Sequence, residues 1–266
     1  MRKLILGLLA TALIAPGAFA QEAGKDWKAD KSFYVGGSAG YLWHGESDNG
    51  GVTGAFTTGN GSPALPNGTA IAAGTPYGWD TQFDDGMGYG AEAGFRIKNK
   101  LRTGLEISYT KSDVDTHSGV TVGATNIDGV DAAVLTGSAT QLGATVGQVV
   151  ADGRGEISNL AAYANAYYHF DLGRIQPYLG AGIGVSQVEV VYQPSGVRII
   201  DDKKTKFAWQ LKAGAEAMIN DNWSVYGEYA YRMTEDVEFD NLLFPGTLEI
   251  ENRPSLLSVG VRYTFK

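Results

Sequence analysis

The chain ends on Ser258-Val259-Gly260-Val261-Arg262-Tyr263-Thr264-Phe265-Lys266, and this segment constrains the fold more than any other. A strand sends alternate side chains to opposite faces. Val259, Val261, Tyr263 and Phe265 therefore share one face, and Ser258, Gly260, Arg262 and Thr264 share the other. In a water-soluble sandwich the apolar face would pack on a core. Here the same alternation recurs along the chain, and the face opposite the apolar one is rich in Gly, Glu and Arg. That pattern fits a closed sheet with lipid outside and a small polar lumen inside. The alternative is a soluble antiparallel sheet with the aromatics as its core, which would leave little but Gly and charge on its outside.

The N-terminus reads as a leader. Arg2 and Lys3 precede the apolar run Leu4 to Ile14, and Ala18-Phe19-Ala20 has the small-x-small form of a cleavage site. The run is about half the roughly 20 residues of a spanning helix, which disfavours a retained anchor. The expected domains are a signal peptide over 1–20, a short periplasmic segment over 21–30 and a barrel over 31–266, exported through the Sec pathway to the outer membrane. No Cys follows the cleavage site, so lipid attachment there is not expected. The chain has no Cys at all, which removes a disulfide framework; a closed barrel instead gains stability by pairing every strand edge. Loss of Arg2 and Lys3 would take the net charge from −8 to −10, a balance that argues against a nucleic-acid partner.

Period-2 alternation predicts eight strands, at Phe33–His44, Asp85–Lys98, Leu101–Ser112, Glu156–Phe170, Pro177–Val190, Lys206–Ile219, Trp223–Asp236 and Pro254–Phe265. Each covers the 9–11 residues that a tilted membrane strand needs. Connections after the second, fourth and sixth strands are short and built of turn formers: Asn99-Lys100, Asp171 to Gln176, and Asn220-Asp221-Asn222. The other four are long, at about 45–84, 113–155, 191–205 and 237–253. Short periplasmic turns opposite long extracellular loops are the habit of outer-membrane barrels. The predicted fold is therefore all-β, an eight-stranded antiparallel transmembrane β-barrel with four long extracellular loops. The outward face carries no charge, as Leu105, Ile107, Leu179 and Ile183 illustrate. Phe33, Phe95, Tyr168, Phe170, Trp223, Tyr263 and Phe265 are expected at the periplasmic interface, and Tyr41, Trp43, Tyr109, Phe207, Trp209 and Tyr231 at the external one.

Eight strands, a leader, the phrase Pro177-Tyr178-Leu179-Gly180-Ala181-Gly182 and the Tyr263-Thr264-Phe265 end resemble the small OmpA-type and surface-antigen barrel families of Gram-negative bacteria. The resemblance covers essentially the whole mature chain; it is specific for fold and compartment and weak for activity. It implies that Tyr263 and Phe265 act as the signal read by the barrel assembly machinery, although Lys266 follows the Phe here. It also implies outer-membrane lipid and lipopolysaccharide as surroundings.

The inward face carries Glu92, Arg96, Arg102, Glu106, Lys212, Glu216, Glu228, Arg232 and Arg262, four acids and five bases. An eight-stranded barrel has just enough interior for side chains to fill it, and buried charges are tolerable only when paired. These residues are expected to form a mutually paired network, with Arg96 and Glu106 a candidate pair. A polar plug and a conductive channel are both consistent with them. Tyr34, Tyr163, Tyr167, Tyr178 and Tyr226 share the face and help fill it.

Catalysis has little to stand on. His44 and His169 read as strand-end polar residues. His117, beside Ser118 and near Asp113 and Asp115, reads as a solvated loop side chain. No zinc-ligand spacing occurs, and Gly86-Met87-Gly88-Tyr89-Gly90 lies within a strand, outside the context of a phosphate loop. No catalytic residue, cofactor or metal is implied. Loops one and two, each about forty residues, exceed the length at which loops are commonly functional or disordered. The expectation is an integral surface protein acting structurally and through its loops, adhesin- or antigen-like, on a host or envelope ligand. A narrow porin for ions or very small solutes and a lipid A-modifying enzyme are the alternatives.

Overall fold

The computed structural model describes residues 31–63, 65–97 and 100–265. The expected leader and the 21–30 segment, Lys98, Asn99 of the first short turn and Lys266 lie outside the described residues. In chain order the strands are β1 Lys31–His44, β2 Ser47–Thr53, β3 Phe56–Thr57, β4 Ala70–Ile71, β5 Pro76–Phe83, β6 Gly86–Ile97 and β7 Leu101–Val122. There follow β8 Thr125–Asn126, β9 Gly155–His169, β10 Ile175–Tyr192, β11 Ile200–Met218, β12 Trp223–Asp240, β13 Gly246–Asn252 and β14 Pro254–Thr264. Two short helices, α1 Ala133–Thr136 and α2 Val146–Val150, lie between β8 and β9.

Eight of these strands close on themselves. β1 pairs with β6 on one side and β14 on the other, and the circuit runs β6, β7, β9, β10, β11, β12, β14 with every pairing antiparallel. The closing seam continues into the C-terminus, where Phe265 N donates to Phe33 O at 2.8 Å. Closure leaves no unpaired edge around the ring, and nothing else would do in lipid. The short turns are stitched by their own side chains: Asn220 Oδ1 accepts from the amides of Asn222 and Trp223, both at 2.9 Å. These eight are the strands read from the sequence, but β7, β10, β11 and β12 extend further than the alternation of the membrane-like segments suggested.

On the outer face Leu105, Ile107, Leu179, Ile183, Leu211, Val259 and Val261 are exposed. At the turn end of the ring an unbroken row of aromatics runs from β6 to β12: Phe95, Phe33, Phe265, Tyr263 and Trp223, with successive ring centroids 4.8–5.5 Å apart. At the other end Tyr41, Trp43 and Tyr229 form a second row at 6.0 Å spacing, and Trp209 meets Tyr231 at the same distance. Phe33 and Trp43 are ten residues apart on one strand, which at roughly 3.3 Å per residue and a tilt of about 40° matches an apolar band about 25 Å tall.

The long connections are not open loops. Beyond the second aromatic row the sheet continues in the order β11, β10, β9, β7, β5, β2, β13, β12, with β2, β5 and β13 inserted between β7 and β12. This upper tier encloses an apolar core that includes Tyr77, Trp79, Ile127, Ile157, Val188, Val190, Tyr192, Ile200, Val237, Phe239, Leu248 and Ile250, closed over by Val134 of α1 and Val146 of α2. Helix α2 begins with a reciprocal capping box between Thr145 and Gln148. The reason is visible along single strands. In β10 the buried face runs Tyr178, Gly182, Ser186 and then Val188, Val190, Tyr192, while exposed Leu179, Ile183 and Val185 give way to exposed Glu189. The polarity of the alternation inverts where the membrane-like band ends.

Candidate functional site

The ring interior holds all nine of the expected charged side chains, and each is buried or nearly so. They sort into two levels. The upper is centred on Glu106 of β7. Lys212 Nζ lies 2.7 Å from its Oε2 and Arg232 Nη2 lies 2.9 Å from its Oε1. Asn165 and Gln210 donate to the same carboxylate at 2.7 and 2.9 Å. Lys212 also reaches Glu228 Oε1 at 2.8 Å, and Tyr178 OH donates to the other Glu228 oxygen at 2.9 Å.

The lower level, toward the turns, is centred on Glu216 of β11, which meets Arg96 at 2.5 Å and Arg262 at 2.7 Å. Arg96 Nη1 donates to Gln176 Oε1 at 3.3 Å. Arg96 therefore pairs with Glu216, and not with Glu106 as the neighbouring strands suggested. Two-residue register on adjacent strands cannot foresee partners that meet across the lumen. Glu92 links the levels: Arg102 Nη1 donates to it at 3.0 Å, Tyr34 OH at 2.6 Å, Asn165 at 2.9 Å, and Tyr167 OH also donates to it.

Tyrosines do more than fill the lumen. The Arg102 guanidinium carbon sits 3.7 Å from the Tyr167 ring centroid and 5.3 Å from that of Tyr34, and Arg262 lies 4.4 Å from that of Tyr226. Such contacts stabilise a desolvated cation. Tyr167 and Tyr178 each lie across a glycine of the next strand. A Cβ on Gly180 would fall 2.3 Å from Tyr167 Cδ1, and one on Gly214 would fall 2.7 Å from Tyr178 Cζ. Glycine is required there because the ring occupies the volume that a side chain would take.

His169, expected as a strand-end polar group, is buried in the lower level with Nδ1 3.8 Å from Glu216. His117, expected as a solvated loop residue, is buried at 2% exposure in the upper tier. Its Nδ1 is 2.8 Å from Thr81 Oγ1, which in turn accepts from Asn49 Nδ2 at 2.5 Å. Burial lowers the His117 imidazole to about 4. The residues that sequence reasoning missed are those of the tier core. The signal that would have found them is the inversion of alternation at Val188 in β10 and at Val237 in β12. The upper-tier cavity, about 30 Å³ and lined by Tyr77, Trp79, His117 and Phe244 among others, is of water size. No cluster of three or more His, Cys, Asp or Glu able to hold a metal occurs among the described residues.

A closed antiparallel ring, apolar outside and ionic inside between two rows of aromatics, has the form that a bilayer demands of a spanning sheet. A family model, the outer membrane protein beta-barrel domain, matches residues 6–265, and the chain belongs to that family. It is an outer-membrane protein. Among solved structures the chain is similar to Neisserial surface protein A (NspA), at 18% identity over 89% of this chain and 100% of that one, TM-score 0.45. It is also similar to Ail, the attachment invasion locus protein of Yersinia pestis, at 11% identity over 88% and 99%, TM-score 0.37, and to the outer membrane protease OmpT of Escherichia coli, at 11% over 88% and 97%, TM-score 0.42. No curated protein sequence matches it.

Proposed function

We propose that this protein is a non-catalytic, non-conducting surface barrel whose role is to hold a folded tier outside the outer membrane and to engage an envelope or host partner through it. The observation that carries the reading is the layering of the interior. The lumen between the aromatic rows is filled by paired charges and tyrosines, and the tier above has a conventional apolar core. A plug of Glu106, Lys212, Arg232 and Glu228 closes the lumen at mid-height, while the tier gives a rigid scaffold for recognition. The short turns mark the periplasmic end, the C-terminal strand with Tyr263 and Phe265 is the part offered to the assembly machinery, and lipopolysaccharide surrounds the external row of aromatics.

Two measurements test this. Planar-bilayer recording of the refolded protein should give no steady single-channel conductance; a stable open level would replace the plug by a narrow pore. Cys placed at exposed Ala139, between α1 and α2, should react with a membrane-impermeant maleimide on intact cells, and Cys at Asp171 should not. The reverse pattern would invert the orientation. The non-catalytic reading is tested by mass spectrometry of lipid A, and by incubation with peptide substrates, with and without the protein. A partner engaged through the tier should be lost from whole cells when 127–150 is replaced by a short turn.

A further inference from the structure

Glu216 Oε2 is shared by two guanidiniums, Arg96 Nη2 at 2.5 Å and Arg262 Nη1 at 2.7 Å, with His169 Nδ1 standing 3.8 Å away. The other oxygen is taken by Ser224 Oγ at 2.5 Å. Arg102 joins the group at Tyr34, whose ring centroid is 5.3 Å from the guanidinium carbons of both Arg102 and Arg262. One more carboxylate, Glu92, serves this level through Arg102. Three guanidiniums thus face two carboxylates. The level above is balanced, with Lys212 and Arg232 against Glu106 and Glu228. The lumen's one surplus positive charge is located at the turn end.

Donors are in surplus at the same place. Arg96 Nε, Arg102 Nε and Nη2, Arg262 Nε and the single N–H of a neutral His169, neither of whose ring nitrogens has a partner, are buried without a hydrogen-bond partner among the described residues. Arg102, Arg262 and His169 are each at least 98% buried. Unmet buried donors and an uncompensated buried charge are both costly. Water would answer the donors but leave the charge. A monovalent anion answers both.

We propose that the lower level of the lumen is a binding site for one small inorganic anion of halide size, held by Arg96, Arg102 and Arg262 beside His169. The site is independent of whether the barrel conducts, because the balanced level above separates it from the tier.

Crystals of the refolded protein grown in sodium bromide test the assignment by anomalous scattering. The expected result is a bromide peak in contact with guanidinium nitrogens of this group. Water-like density without anomalous signal overturns the proposal, whatever salt does to stability. Gln176→Glu supplies a carboxylate beside Arg96, whose Nη1 already donates to Gln176 at 3.3 Å. The variant should lose the peak. It should also lose the rise in unfolding midpoint that chloride gives over gluconate at equal ionic strength in the unmodified protein. A peak of equal height in Gln176→Glu would show that surplus charge does not hold the ion, and would overturn the assignment.

Discussion

Lys212 Nζ lies 2.7 Å from Glu106 Oε2, reaching across the interior between β11 and β7, strands that are not neighbours in the ring. A buried pair of this kind is tolerable only while both partners are present. Glu106→Gln leaves Lys212 and Arg232 short of a counter-charge, and Lys212→Met leaves Glu106 and Glu228 in the same position. Each single change should lower unfolding stability in detergent or lipid by about 3–5 kcal/mol, less where water enters. The double variant should cost less than the sum of the two, a coupling of at least about 0.5 kcal/mol. Arg96 and Glu106 share no partner in the network, so their double variant should be close to additive. Urea titrations of the unmodified protein and the five variants check both statements, and additivity for Glu106 with Lys212 would dissolve the network.

Gly180 gives a second test, of packing in place of charge. Its missing Cβ lies against Tyr167, the ring that stacks on Arg102 and whose hydroxyl donates to Glu92. Gly180→Ala should displace the ring and disturb both contacts, costing about 1–3 kcal/mol as overpacking does. Gly45→Ala, where nothing lies within 4 Å of the added carbon, should be close to neutral. Equal effects at the two sites would mean that the close approach at Gly180 is not structural.

The ring was legible because its signal is local: alternation names the lipid side of each strand, and turn formers name where strands stop. Leu105, Leu179 and Val259 needed no partner to be assigned outward. The nine interior charges were legible as a set for the same reason, since parity along a strand assigns the face. Their partners were not. Glu216 gathers Arg96 of β6 and Arg262 of β14 across the lumen, and a closed sheet makes those distances a property of the whole circuit. The tier was hidden differently. A reading that seeks apolar residues outside stops where Val188 and Val237 turn the pattern inward, although the strands continue.

Asp131 organises the segment between the two helices of the tier. Its carboxylate accepts the amides of Ala133, Leu142 and Gly143, each at 2.9 Å, and these bonds hold its ionisation below the usual carboxylate range. Asp131→Ala removes all three acceptor contacts. The expected outcome is faster amide exchange at those positions and new proteolytic cleavage between 133 and 143, with the unheated gel mobility of the ring unchanged. Cleavage elsewhere, or loss of the compact band, would contradict a local role.

His117 makes the tier sensitive to acid. Its ring is buried against Trp79 and Tyr192, with centroids 6.2 and 4.8 Å away, and its Nδ1 hydrogen-bonds Thr81. The folded imidazole titrates at about 4, against 6.5 for the unperturbed group. Between those values the opened tier binds a proton that the closed tier does not. The stability contributed by neutral His117 is therefore complete above about pH 6.5 and is lost as pH falls toward 4. The slope approaches 1.4 kcal/mol per unit, for a total of roughly 3 kcal/mol. Limited proteolysis of the folded protein should show the tier opening between pH 6.5 and 4.5 while the ring stays intact. His117→Gln, which keeps a polar neighbour for Thr81 without a titrating group, should reduce the slope of the profile in that window, half-buried His44 beside Phe83 contributing the remainder. An unchanged profile in the variant would place the acid sensitivity on other groups.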